Sequence, residues 1–195
     1  MEKFIKLTLG LLLLLFITAC SKKDQLSPEE QEHQRFAKYY VKFKVDGKPE
    51  EYKYLGEGQL GVIISTVTDK NGNYGAIGGF YKSNESTKRN WVGWLIGHPD
   101  PIAINKLYGS PNSTVTGAVK APAFLLGYKD NAGNDYVASI FDILPGPYDA
   151  KVKFTSITNS EIKGNFSGTL HNFKDGVVVK TVELTDGEFF VPKNF

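Results

Sequence analysis

From Lys38 onward, apolar and polar residues alternate along the chain with a period of two. In KYYVKFKV, residues 38–45, one face of an extended chain would carry Tyr39, Val41, Phe43 and Val45. The opposite face would carry Lys38, Tyr40, Lys42 and Lys44. This alternation is typical of a strand in an antiparallel sheet that buries one face. The residues DGKP that follow predict a turn.

Further strands follow, and turn residues separate them. The Asn-Gly pair in DKNGN, residues 69–73, predicts a hairpin between GVIISTVT and YGAIGGFYK. DNAGN, residues 130–134, predicts a second hairpin between AFLLGYK and DYVASIFDI. The last predicted strands are AKVKFTSIT, EIKGNFSGTL, VVVKTVEL and EFFVP. We therefore expect an all-β domain over residues 38–195, a single antiparallel β-sandwich or a barrel-like sheet.

Glycine is frequent inside these predicted strands. In EIKGNFSGTL, one face would carry Ile162, Gly164, Phe166, Gly168 and Leu170. Glycine within a strand indicates a bulge or a close approach of neighbouring groups, here the aromatic side chains.

Two segments have the end signals of helices. Ser27 can cap a helix that starts at Pro28, and Glu30 stands at the spacing of a capping box. We expect a short polar helix over residues 28–37, with a disordered tether as the alternative. DPIAINKLYG, residues 100–109, has a proline near its start and a glycine at its end, which predicts a second helix.

Residues 1–19 have the layout of a secretory signal peptide. Lys3 and Lys6 make the start basic, LGLLLLLFI (residues 9–17) is apolar, and the small residues Thr18 and Ala19 follow. A helix needs about 20 apolar residues to cross a membrane, so this run is too short to be a membrane span. We expect residues 1–19 to be removed.

The residues around the expected cleavage point, Ile17 to Cys20, resemble a bacterial lipobox. The resemblance implies cleavage between Ala19 and Cys20, a diacylglyceryl group on the Cys20 thiol and an acyl chain such as palmitate on the new amine. Two or more chains anchor a protein stably to a membrane. Residues 20–37 would then be the lipidated cysteine and its tether. The alternative is an ordinary signal peptide followed by a coincidental cysteine.

Composition narrows the choice of partners. The formal net charge is only +2, and no basic cluster is interleaved with aromatic residues, which argues against a nucleic-acid partner. Cys20 is the only cysteine, so a mature domain would contain no disulfide and no cysteine metal site. Neither a G-x-G-x-x-G phosphate loop nor a G-x-S-x-G nucleophile elbow occurs, and we expect no cofactor.

Several segments resemble those of small uncharacterised lipoproteins of Bacteroidota. The segments are, in order, VDGKP, PGPYDAKVKFTSIT, IKGNFSGTL and VELTDGEFFV. The likeness covers residues 38–60 and 145–195 better than the middle of the chain. It implies a lipid-anchored β-sandwich domain in the bacterial envelope, and it implies no activity. Ser21, directly after Cys20, resembles the pattern for outer-membrane delivery, with the leaflet left open.

The histidines are the first candidates for chemistry. His98 and Asp100, in GHPDP, are close enough in sequence to share a metal or to form a catalytic pair. A working site would need a third partner that the sequence does not provide. We favour a surface loop for His98, a position in the tether for His33 and the polar face of its strand for His171.

Two further candidates concern binding. Trp91 and Trp94 lie on opposite faces of a predicted strand, so one would enter the core and the other could form a platform for a sugar ring. Further aromatic residues could add to this surface, namely Tyr40, Tyr52, Tyr54 and Tyr81. The alternative is that these aromatic residues only pack. DKNGN and DNAGND space oxygen ligands as calcium loops do, but neither continues as a full loop, and turns use the same residues.

These observations favour a non-enzymatic binding or envelope-accessory module held at the outer membrane by Cys20. Its partner would be the membrane itself together with a glycan or an envelope protein. Glycan capture through Trp91 or Trp94 is one alternative, and a hydrolase that uses His98 and Asp100 is another.

Overall fold

A computed structural model describes residues 27–56, 58–65, 73–83, 90–109, 118–120, 123–139 and 149–194. The chain divides into two units between Arg35 and Phe36. Cys20 and the expected signal peptide lie outside the described residues, as does the Asn-Gly turn at residues 71–72.

The one described helix, α1, spans Pro28–Phe36. The Glu30 backbone N–H donates to Oγ of Ser27 at 3.2 Å, and the Ser27 N–H donates to Oε2 of Glu30 at 2.8 Å. These reciprocal bonds form a capping box, and they lower the pKa of the Glu30 carboxyl. The predicted helix is therefore confirmed, and it ends one residue earlier than expected.

The described part of the second unit is built from strands. Their bounds are β1 Tyr40–Val45, β2 Lys48–Lys53, β3 Leu60–Ser65, β4 Tyr74–Tyr81, β5 Trp91–His98, β6 Leu107–Gly109, β7 Ala118–Lys120, β8 Ala123–Lys129, β9 Asp135–Ser139, β10 Ala150–Ile157, β11 Glu161–Lys174 and β12 Val177–Pro192. All of them belong to one sheet with the main order β2-β1-β12-β11-β9-β8-β5-β4-β3. Strand β10 pairs with β11 and β6, and β6 pairs with β7 in parallel.

The sheet curls into a half-barrel. Strand β3 stands at one end of the order, yet its Val62 forms a bridge to Lys193, just after β12, and accepts a hydrogen bond from the Asn194 N–H at 2.9 Å. The predicted all-β, antiparallel fold is confirmed, and the sheet takes the barrel-like form.

The inward face carries the core that the alternation predicts. Tyr39, Val41 and Phe43 are buried, and Asp46 and Gly47 form the following turn with positive φ angles of 49° and 76°. The five predicted residues of β11, from Ile162 to Leu170, share one buried face. Trp94 packs against the rings of Phe80, Phe154 and Phe189, with centroids 5.2 to 6.3 Å apart.

Two expectations for single elements are wrong. VVVKTVEL and EFFVP are one strand, β12, because Asp186 takes a φ of 52° and forms a bulge instead of a turn. Residues 100–109 form no helix. The Ala103 N–H donates to the Tyr108 hydroxyl at 2.9 Å and the Asn105 N–H donates to the Phe154 carbonyl at 2.7 Å, so tertiary bonds use the donors that a helix would need.

Candidate functional site

The side chains of the two tryptophans lie on opposite faces of β5, as the alternation predicts. Trp94 points inward and is only 2% exposed, so it is the one of the two tryptophans that enters the core. Its indole Nε1 has no hydrogen-bond partner in the described part of the chain. Trp91 points to the outer face and is partly exposed. Trp91 alone therefore remains a candidate platform.

Trp91 lies against two glycines, Gly93 and Gly127, of a three-glycine row on the outer face. Gly79, Gly93 and Gly127 are register partners across β4, β5 and β8. A Cβ atom would stand 3.1 Å from Cζ3 of Trp91 if it were added to Gly93, and 2.7 Å from its Cη2 if it were added to Gly127. Only glycine lets the indole ring settle so close to the backbone of two strands.

Polar and aromatic neighbours complete this surface. Tyr81, Trp91, Lys129 and Asp135 are consecutive register partners across β4, β5, β8 and β9. Lys129 and Asp135 form an ion pair with 3.2 Å between Nζ and Oδ1. We call these four residues, with the three glycines, the Trp91 face. It combines two aromatic rings with adjacent hydrogen-bonding groups, which suits a ligand with apolar and hydroxylated sides.

Exposed aliphatic side chains continue the surface beyond the glycine row. Ile63 and Ile77 pair with each other and are 46% and 49% exposed, and the same row continues through Leu95 and Leu125. Contiguous exposed apolar area of this kind often marks an interaction surface. Of the tyrosines expected to add to the platform, Tyr81 is the register partner of Trp91, whereas Tyr52 is fully buried. Sequence reasoning missed Lys129 and Asp135, because only the strand register places them in the same row as Trp91.

His98 does not lie in a surface loop, contrary to expectation. It ends β5, faces inward and is 5% exposed. Its Nδ1 accepts the Asp100 backbone N–H at 2.9 Å, and its ring meets the Tyr108 ring edge-on at 5.5 Å. The exposed Asp100 carboxylate lies 3.8 Å from Nδ1 and 3.5 Å from Nζ of Lys106. Within the described ranges no third acidic or histidine side chain joins the pair in a group that could hold a metal.

The other two histidines belong to elements other than β5. His33 is exposed in α1, which belongs to the expected tether. His171 pairs through Nδ1 with Oγ1 of Thr181 at 2.9 Å on the outer face of β11.

In the hairpin at residues 130–134, nearby residues of the same hairpin donate hydrogen bonds to the Asp130 carboxylate oxygens. The Asp130 carboxylate accepts the backbone N–H and the side-chain N–H of Asn134 at 2.9 and 2.8 Å, and the Tyr136 hydroxyl at 3.3 Å. Although burial alone would raise the pKa of Asp130, the bonds from Asn134 hold it below its usual range. The turn thus accounts for the residues of DNAGND that resembled a calcium loop, while residues 69–72 of DKNGN lie outside the described ranges.

Comparison of the chain with protein-family models, with curated proteins and with solved structures finds no match. Among the described residues, no helix is both long and apolar enough to span a membrane. Function must therefore be argued from the chain's own residues.

Proposed function

We propose that this chain is a lipid-anchored protein of the bacterial outer membrane and that its β domain is a non-enzymatic binding module. The anchor rests on the lipobox-like residues that end at Cys20. The binding role rests on one observation, the partly exposed indole of Trp91 held against Gly93 and Gly127. A ring fixed in this way loses little conformational freedom when a ligand stacks on it.

A glycan is the ligand class that the Trp91 face suits best. The apolar side of a sugar ring can stack on Trp91 and Tyr81, while Lys129 and Asp135 offer a donor and an acceptor to its hydroxyl groups. The resemblance to lipoproteins of Bacteroidota agrees with an envelope location.

The anchor is tested by mass spectrometry of the mature N-terminus. We expect a diacylglyceryl-modified Cys20, and Cys20→Ala should remove that modification and release the protein from membranes. An unmodified N-terminus at another residue would contradict the anchor. Protease treatment of intact cells then assigns the leaflet, since only a surface-exposed domain is digested.

The glycan role is tested on an oligosaccharide array. We expect binding that Trp91→Ala weakens about tenfold or more, which corresponds to at least about 1.4 kcal/mol. Leu55→Ala is the matched control because Leu55 is another exposed apolar side chain, outside the Trp91 face. Equal binding by both variants, or no binding by the wild type, would refute the glycan role and leave the anchor untouched.

A further inference from the structure

An open groove of about 490 Å³ crosses the outer face of β10, β11 and β12. Its polar lining consists of Lys151, Lys153, Asn165, Ser167, Asp186 and Glu188. We call it the lysine groove. It shares no residue with the Trp91 face.

Strand register places donors side by side in this groove. Lys151 is the register partner of Ser167, and Lys153 is the partner of Asn165. The two lysines stand two residues apart on the same face of β10, so their Cα atoms are roughly 6–7 Å apart. The groove therefore holds two ammonium groups on one strand and two neutral polar side chains on the next.

Each carboxylate of the groove has a partner, but only Asp186 is paired with a cation. Asp186 pairs with Nζ of Lys44 at 2.8 Å, and Glu188 accepts a hydrogen bond from the Tyr40 hydroxyl. Over the described ranges, Lys151 and Lys153 have no carboxylate within ion-pair distance. Both are partly buried. Two adjacent like charges repel each other, and an anion placed between them would relieve that repulsion.

We propose that the lysine groove binds an anionic phosphate group between Lys151 and Lys153, with Asn165 and Ser167 as neutral donors. Lysine binds phosphate as a point charge, and amide and hydroxyl groups supply further hydrogen bonds. The phosphate could belong to a soluble phosphorylated molecule or to a lipid headgroup, and both present the same chemistry. The site goes beyond the proposed glycan role and does not depend on it.

Calorimetric titration of the full-length protein in non-ionic detergent with inorganic phosphate tests the site. We expect saturable binding that weakens as salt is added, because charge interactions are screened. Lys151→Gln with Lys153→Gln should weaken it at least tenfold, since each charge-assisted hydrogen bond contributes appreciably. Lys48→Gln with Lys174→Gln removes the same charge elsewhere and should bind as the wild type does.

A second arm distinguishes the source of the phosphate. Dihexanoyl phosphatidic acid, below its micellar concentration, is compared with inorganic phosphate and with dihexanoyl phosphatidylcholine. Tighter binding of phosphatidic acid than of either comparison supports a lipid headgroup, and equal binding of phosphatidic acid and phosphate supports a soluble ligand. Binding that survives loss of both groove lysines, or no binding of phosphate and phosphatidic acid, would overturn the proposal.

Discussion

At the scale of single residues, Gly164 shows how closely the inward face is packed. A Cβ atom there would stand 2.3 Å from Cζ of Phe189 and 2.4 Å from the Lys153 carbonyl oxygen. We expect Gly164→Ala to lower the free energy of unfolding by about 1–3 kcal/mol, because the backbone cannot yield as a flexible side chain can. Urea unfolding monitored by circular dichroism measures the change.

Gly79 is the matched control for this substitution. It is also a strand glycine, but the nearest atom to an added Cβ is Cε2 of Tyr81, at 4.0 Å. We expect Gly79→Ala to change stability by no more than about 0.5 kcal/mol. Equal losses in the two variants would show that lack of space is not what selects glycine at position 164.

The raised pKa of Tyr40 predicts how the free energy of unfolding changes at alkaline pH. The hydrogen bond to Glu188, together with burial, raises its pKa to about 12, and burial raises the pKa of Tyr128 to about 12 as well. Below pH 10 both hydroxyls keep their protons in the folded and the unfolded chain. Between pH 10 and 12 the unfolded chain releases protons that the folded chain keeps, so the free energy of unfolding falls as the pH rises.

Tyr40→Phe tests this dependence. Unfolding at several pH values between 9 and 11.5 should give a shallower fall for the variant than for the wild type. The same slope in both proteins would contradict the raised pKa of Tyr40.

Residue-level prediction from the sequence succeeded where alternation alone decides the outcome. Period two places Trp91 and Trp94 on opposite faces, and they are so placed. The sequence could not tell which of the two is buried, since that depends on which face of β5 meets Phe154 and Phe189. It also misplaced His98, because the prolines on either side of Asp100 resemble a loop while β5 in fact continues to His98.

At the scale of elements, residues 100–109 show why local signals mislead. Pro101 and Gly109 are compatible with a helix, but Tyr108 lies in the core and its hydroxyl holds the Ala103 N–H. Local patterns do not reveal such partners, because Tyr108 pairs with Val152, far along the chain.

Tyr108→Phe measures the contribution of this hydroxyl. The variant keeps the ring but removes the acceptor of the Ala103 N–H; because Ala103 is exposed and water can bond to its N–H, we expect a loss of no more than about 1 kcal/mol. Tyr74→Phe is the control, since no hydrogen bond of the Tyr74 hydroxyl is found among the described residues. A loss of the same size in the control would refute the proposed role of the bond.

The capping box of α1 gives a second prediction at this scale. Ser27→Ala removes the acceptor of the Glu30 N–H, and N-cap substitutions of this kind cost about 1 kcal/mol. Amide hydrogen exchange at Glu29 to Gln31 should become several-fold faster. Gln34→Ala, near the other end of α1, should leave those three amides unchanged, and if it accelerates them equally the cap is not the cause.

At the scale of the whole domain, the fluorescence of Trp94 reports on the core, and the fluorescence of Trp91 reports on the outer face. Trp91→Phe leaves Trp94 as the only indole, and we expect blue-shifted emission that iodide barely quenches. Trp94→Phe leaves Trp91, which we expect iodide to quench. The reverse pattern would contradict the orientation of β5 and, with it, the Trp91 face.

The fold class was predictable from the sequence, but the strand order was not. Alternation identifies strands and their faces, and the turn residues of DNAGN identify β8 and β9 as neighbours. Nothing local indicates that β12 lies between β1 and β11, or that the bulge at Asp186 opens beside the lysine groove. Both arise from pairing between distant segments.

The position of β12 has a consequence for how the domain forms. Strand β1 pairs with β2 directly after it in the chain, but its second partner is β12, where Tyr40 pairs with Phe190, so the other edge of β1 stays unpaired until β12 is in place. A topology dominated by such distant pairs has a high contact order and folds slowly. Until then β1 and β11 each present an unpaired edge, which can recruit other chains. These two edges are therefore protected only after Val177–Pro192 has taken its place between them.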